Sequence, residues 1–221
     1  MKWIDAILDL LFPPRCVFCQ KLLKSGESGY CSECQAKLPW ITGREAEQKF
    51  EFVSTCVSPL WYQENVRESI HRYKFYDRSG YSKVYGRLVA QSVSDHLSNR
   101  FDLISWVPLS KKKLKRRGYD QAKLLAIEAA LHLECFATET LRKVRNTNMQ
   151  SRISDDAERR ANVLGAYEAI NPDLTVGKRI LLIDDVATTG ATLSECARIL
   201  RNAGATDVVC ASFARARGQK T

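Results

Sequence analysis

The chain has 221 residues, 45% of them hydrophobic and 9% aromatic, and 34 Lys and Arg against 25 Asp and Glu give a formal net charge of +9. That apolar content excludes a disordered chain, and the length allows one ordinary domain plus a small accessory one. The positive balance favours polyanionic partners (phosphates, nucleic acid or an acidic protein), and no apolar run reaches the length that spans a bilayer.

In the opening MKWIDAILDLLFPPRC, Trp3, Ile4, Ile7, Leu8, Leu11 and Phe12 share one helical stripe opposite Asp5 and Asp9. The two acids and the lack of a small-residue cleavage site predict a short amphipathic helix, ended by Pro13 and Pro14, rather than a signal peptide. Docking on the larger domain is its expected use, and a partner or membrane surface is the alternative. Next come Cys16-x-x-Cys19 and Cys31-x-x-Cys34, eleven residues apart. Two such knuckles place four sulfurs around one point, which predicts a structural Zn²⁺ with no open coordination position. Redox pairs or disulfides are the other reading, disfavoured in the expected cytoplasmic setting. Residues 1–48 are thus expected to form a zinc module, needing the metal because so short a segment has a poor core of its own. The other four cysteines, Cys56, Cys135, Cys196 and Cys210, read as buried core thiols.

Residues 49–221 are expected to form the main domain. FEFVSTCVSPLWY (50–62) is strand material, 64–97 reads as two helices around the Asp77–Gly80 break, and DLISWVPL (102–109) is a buried strand ending at Pro108. Six of the next seven residues, 111–117, are Lys or Arg. Such a run is usually a solvated loop, but a strand terminus is also where a ligand would sit. Diphosphate, a nucleic-acid backbone and plain solvent all suit it, and charge alone does not choose. The polar, arginine-rich segment 141–167 lacks periodicity until about Asp156, and is either a lid or a tolerated surface loop. The histidines, His71, His96 and His132, lie in no motif and read as structural.

The stretch RILLIDDVATTGATLSE, 179–195, carries the most chemistry. Ile180–Ile183 is a four-residue β-rich run. Two acids at its end cannot be buried unpaired, so they are expected at the rim of the sheet. Ala187, Thr188, Thr189, Gly190 and Thr192 form a small-residue loop entering a helix over 190–203, an anion cradle of backbone N–H groups and hydroxyls. Asp184 and Asp185 then lie one loop-width away, suited to the hydroxyls of a sugar on that phosphate. A capped helix with solvated acids is the plainer alternative. With a last strand over 206–213, strands and helices alternate as in an α/β domain with a mainly parallel sheet.

ILLIDDVATTGAT resembles the phosphoribosyl pyrophosphate (PRPP) motif of type I phosphoribosyltransferases. The resemblance implies that fold, with helices flanking the sheet. It also implies ribose contacts from Asp184 and Asp185, a 5′-phosphate on the loop Ala187 to Thr192, and Mg²⁺ bound with PRPP. On that reading Arg117 and Gly118 are the favoured diphosphate contacts. The four-cysteine module, KKLKRRGYDQA, RNTNMQSRISDDAERRANVLGAY and IDDVATTGAT together resemble the ComF family of competence-associated proteins over nearly the whole chain. Tyr119-Asp120 stands where Phe-Asn is usual in that family. The resemblance implies a cytoplasmic role in natural transformation beside a DNA-translocating ATPase, with association at the inner membrane face left to partners. It also implies contact with single-stranded DNA, for which Lys111, Lys112, Lys113, Lys115 and Arg116 are the candidates, with Arg142, Lys143 and Arg145 as possible additions. If catalytic, the chain would displace diphosphate from ribose C1 with a nitrogen nucleophile. Base salvage and non-catalytic PRPP sensing are the alternatives.

Overall fold

The computed structural model describes residues 13–147 and 156–217; the stripe before Pro13 and the centre of the polar segment, 148–155, lie outside the described residues. After the first knuckle come α1 (Ser32–Lys37) and three short strands, β1 (Glu47–Phe50), β2 (Val53–Val57) and β3 (Leu60–Trp61). Helices α2 (Glu64–Phe75) and α3 (Tyr81–Leu97) are separated at the predicted break. They lead to β4 (Leu103–Trp106), α4 (Lys111–Arg117), α5 (Gln121–His132) and β5 (Leu141–Lys143). The chain continues through α6 (Asp156–Val163), β6 (Tyr167–Ala169), β7 (Arg179–Ala187), α7 (Ala191–Asn202) and β8 (Asp207–Arg215).

The main sheet runs β1-β2-β8-β7-β4, with β3 also on β8. Only β1–β2 is antiparallel; the other pairs are parallel. A parallel sheet must be covered on both faces, and β7 shows how its sequence achieves this. Leu181 and Ile183 enter one core with Phe213, Tyr85, Leu125 and Phe18, whereas Ile180 and Leu182 enter the other with Leu193, Cys196 and Leu200. Side chains alternate along a strand, so an unbroken apolar run serves both layers. The architecture is the α/β fold with a mostly parallel sheet that the sequence predicts.

Several local expectations change. The 50–62 run is two strands and a bridge piece, because Phe52 takes φ +63 and turns β1 back on β2. The strand expected to stop at Ile183 continues through both acids to Ala187. The basic run is helix α4, not a loop. Ser110 caps it by accepting from Lys113 N, Gly118 ends it at φ +81, and three basic side chains face the negative end of its dipole. The polar segment carries structure at both ends, where β5 and β6 pair antiparallel. Cys135 is only half-buried, unlike Cys56, Cys196 and Cys210, because it follows the exposed end of α5.

The cysteine region shares the main core. Phe18 stacks on Phe213 at 6.4 Å, Ser69 Oγ donates to Val17 O, and Arg72 Nη2 donates to Phe18 O. Among the described residues no helix is long and apolar enough to cross a membrane.

Candidate functional site

Cys16, Cys19, Cys31 and Cys34 converge with all four Sγ atoms within 4.8 Å of one another, Cys19 and Cys31 at 3.6 Å. Four sulfurs at ~2.3 Å from Zn²⁺ require S···S edges of about 3.8 Å, so the cluster fits the ion. Burial pushes the Cys16 thiol up, but backbone N–H groups of Cys19, Cys31 and Phe18 outweigh it and bring it down to about 7. Such N–H donors favour the thiolate that a metal requires.

A second site lies at the carboxyl ends of β4 and β7, where open α/β sheets bind ligands. One cavity there is lined by Asp184, Asp185, Thr192, Lys113, Arg116 and Arg117 from the predicted set. It is also lined by Lys74, Phe75, Gln121, Lys143, Thr147 and Tyr167. Lys74 Nζ is 2.8 Å from both carboxylate oxygens of Asp185. Asp185 N donates to Asp184 Oδ1 at 2.8 Å. Burial, then the neighbouring Asp185 carboxylate, pushes the Asp184 carboxyl up to about 8. Arg117 donates to Gln121 Oε1 at 2.6 Å, leaving its Nε buried without a partner. Burial lowers the pKa values of Arg117 and Lys113. These are cations held in partly dry surroundings, where an anion is attracted more strongly than in open water.

The loop after β7 behaves as its composition requires. Gly190 takes φ +78 as the N-cap of α7, and a Cβ there would lie 2.2 Å from Phe50 Cδ1. Glycine is therefore demanded twice, by conformation and by close approach. Thr189 Oγ1 is buried without a hydrogen-bond partner. Ala187 ends β7 and Thr188, Thr189 and Gly190 form the loop behind Thr192; none of the four lines the cavity, and Gly118 ends α4 rather than facing it. Lys111 and Lys112 open instead on an adjacent cavity with Arg142, Lys143 and Arg145; Lys115 lines neither cavity. The departure at Tyr119-Asp120 is structural. Tyr119 OH donates to Tyr73 O, and Asp120 accepts from Leu109 N at 2.8 Å and caps α5.

Lys74 and Phe75 carry no motif and Tyr167 only ends the segment quoted for the family resemblance, so the fold alone brings these three to the acids. Lys143, read as a DNA contact, reaches inward and donates to Tyr167 Oη at 2.9 Å and Thr147 Oγ1 at 3.0 Å. Burial, then the Lys113 ammonium, brings its amine down to about 8. An unfolded lysine titrates near ~10.4, so below about pH 8 the folded, ligand-free protein carries an unfavourable charge. That penalty fades as pH rises between the two values. Lys143→Met should therefore raise the melting temperature at neutral pH by several degrees, for about 1–3 kcal/mol, while weakening anion binding. Thermal melts across pH check the sign, and a lower melting temperature for the variant at neutral pH contradicts it.

Comparison with known proteins matches two segments of the chain. A double zinc ribbon domain matches residues 7–46, and a phosphoribosyl transferase domain matches 114–221. Competence protein F of Haemophilus influenzae is 29% identical over 223 residues, covering 91% of this chain and 97% of that protein. DNA utilization protein YhgH of Salmonella typhi is 31% identical over 186 residues, covering 80% of this chain and 74% of that one. The chain belongs to the ComF family. Among solved structures, the allosteric regulatory enzyme of purine biosynthesis matches at 23% identity and a TM-score of 0.43, over 63% of this chain and 29% of that enzyme. The zinc-ribbon match holds four cysteines, the number one tetrathiolate ion needs, so this ComF chain has ligands there for a single Zn²⁺.

Proposed function

We propose that this ComF protein binds PRPP and uses it in the handling of incoming single-stranded DNA during competence. The ribose hydroxyls lie on Asp184 and Asp185, the 5′-phosphate on the loop 188–192, and the diphosphate against Lys113, Arg116 and Arg117. The supporting observation is the grouping of two carboxylates and five cations around one cavity beside a small-residue loop. Two hard carboxylates among cations suit Mg²⁺ that arrives on a diphosphate better than Mg²⁺ held by the protein alone. Bound so, the ion would neutralise charge on the leaving group. If the chain is a transferase, the C1–O bond to diphosphate breaks as a nitrogen–C1 bond forms. The cations then hold the leaving oxygens while the acids and loop fix the ribose. Calorimetric titration with PRPP and Mg²⁺ should give one site per chain, and absence of heat and of competition by diphosphate would sink the reading.

The DNA part rests on the outward lysines of α4 and the adjacent basic cavity. Binding through phosphates releases counterions, so affinity should fall with salt by roughly 0.7 log units per neutralised phosphate for each tenfold rise. Replacing Lys111, Lys112 and Lys115 together by Gln should flatten that slope by about two units. Anisotropy titrations at several salt concentrations measure it, and a wild-type slope in the triple variant removes α4 from the DNA site.

A further inference from the structure

The end of α2 carries three rings that the sugar–phosphate reading leaves unused. Phe75 is 46% exposed and Tyr76 is 62% exposed. His71, one turn earlier, has its ring centroid 4.9 Å from that of Phe75 and 5.6 Å from that of Tyr76. Asp77 then turns the chain sharply at φ +50, leaving the rings at a tip. Phe75 lines the cavity that holds Asp185, and the Arg117 guanidinium lies 5.1 Å from its ring centroid.

A lone exposed ring needs no explanation. Here Phe75 lines the charged cavity together with Lys113, Arg116 and Arg117, and the His71 ring, tilted 49° to Phe75 and 56° to Tyr76, joins the three into one aromatic cluster beside it. Rings beside cations are the pairing that takes a nucleotide, with the flat base on the ring and its phosphate on the cations. A sugar phosphate alone has no flat face to offer, and an acidic peptide would use the cations and leave the rings in water.

We propose that Phe75, with His71 and Tyr76 beside it, is a stacking platform for a nucleobase whose sugar–phosphate side faces the cavity. The base belongs either to a free mononucleotide or to a single strand; the chemistry is the same. This extends the sugar–phosphate reading of the same cavity, and the test separates the two.

The full zinc-loaded chain is titrated, by fluorescence anisotropy at one salt concentration, with a short oligothymidylate and with an abasic strand of equal length. Phosphate contacts are alike in both, so only stacking distinguishes them. The base-bearing strand should bind roughly tenfold tighter, as one or two stacked bases provide. Phe75→Ala and Phe75→Leu should both remove that difference, the second keeping the apolar bulk, and Phe75→Trp should retain it. Equal affinities for the two strands in the wild type, or a difference that survives Phe75→Leu, overturns the platform. Thymidine monophosphate is the second probe. A Phe75-dependent affinity for it identifies a free nucleotide as sufficient, and dependence seen only with the strand identifies a base held in a chain. PRPP binding by the wild type is measured separately. Its absence would remove the sugar–phosphate reading and leave the stacking result to stand or fall by itself.

Discussion

Asp184→Asn combined with Asp185→Asn should abolish measurable PRPP binding and make the ligand-free protein more stable. The loss follows from removing two hydroxyl acceptors, a charged one on Asp185 worth ~1.5–3 kcal/mol and one on Asp184, largely protonated before binding, worth ~0.5–1.5 kcal/mol, so affinity should fall on the order of a hundredfold. The gain in stability follows from the raised titration of Asp184, whose carboxyl is lifted to about 8 by burial and by Asp185. An unfolded aspartate titrates near ~3.9. Between those values the folded state keeps a proton that the unfolded state has released, so stability falls as pH rises through that window. An amide ends this dependence. Allowing for the solvent-facing part of the carboxylate, the gain at neutral pH is about 1–3 kcal/mol. Opposing it, an amide in place of the Asp185 carboxylate no longer neutralises Lys74, whose amine sits 2.8 Å from that carboxylate. Asp184→Asn alone should therefore be the more stable variant and the double variant the weaker binder. Calorimetry with PRPP and thermal melts across pH read both effects. Retained PRPP affinity in the double variant would remove the acids from the site.

Cys31→Ser, or chelation of the metal, should lower the melting temperature by ten degrees or more. Structural zinc contributes apparent free energies of about 10–16 kcal/mol in isolated modules, much of it as folding energy. Here the ligands are part of the main core. Cys16, Val17 and Phe18 are buried in the same cluster as Tyr85 and Phe213, and burying a side chain such as Phe18 contributes about 1.5–3 kcal/mol. Loosening the knuckle uncovers that face of the sheet. Metal analysis should give one zinc per wild-type chain and markedly less in the variant. An unchanged melt after zinc is stripped would show that the knuckle is held by packing alone.

The sheet and the two sites are legible in the sequence to different depths. The strand at 180–183, the break at 77–80 and the last helix follow from local patterns. The four cysteines declare their meeting by spacing. Helix α4 is not legible because six cations in seven residues read as mutual repulsion; its cap at Ser110 and its stop at Gly118 decide otherwise. Helix α5 is only partly legible, as a helical pattern around His132, because Ala122, Ala126, Ala129 and Ala130 mark a close-packed helix less strongly than large residues would and leave its start unmarked. Strand β7 runs through its two acids because its partner β8 is as long, pairing Ala187 with Arg215. Lys74 and Phe75 cannot be found locally at all, and Tyr167 only closes a segment quoted for the family resemblance, with nothing local to aim it at the acids. Lys74 and Phe75 end helix α2 and Tyr167 begins β6, and only the packing of those elements on the sheet brings them to Asp185.

Helix α2 is fastened twice. Its middle holds the first knuckle through Ser69 and Arg72, and half a turn beyond Arg72 its Lys74 grips Asp185. The recognisable transferase segment begins only at residue 114, yet Lys74 and Phe75 line its cavity and Phe18 fills its core. Dissecting the chain at that motif, or just past the cysteines, would leave apolar side chains of Phe213 and Tyr85 facing water. The smallest piece worth expressing therefore starts before Cys16, and the ribbon behaves as a keystone of this protein rather than as an appendage to it.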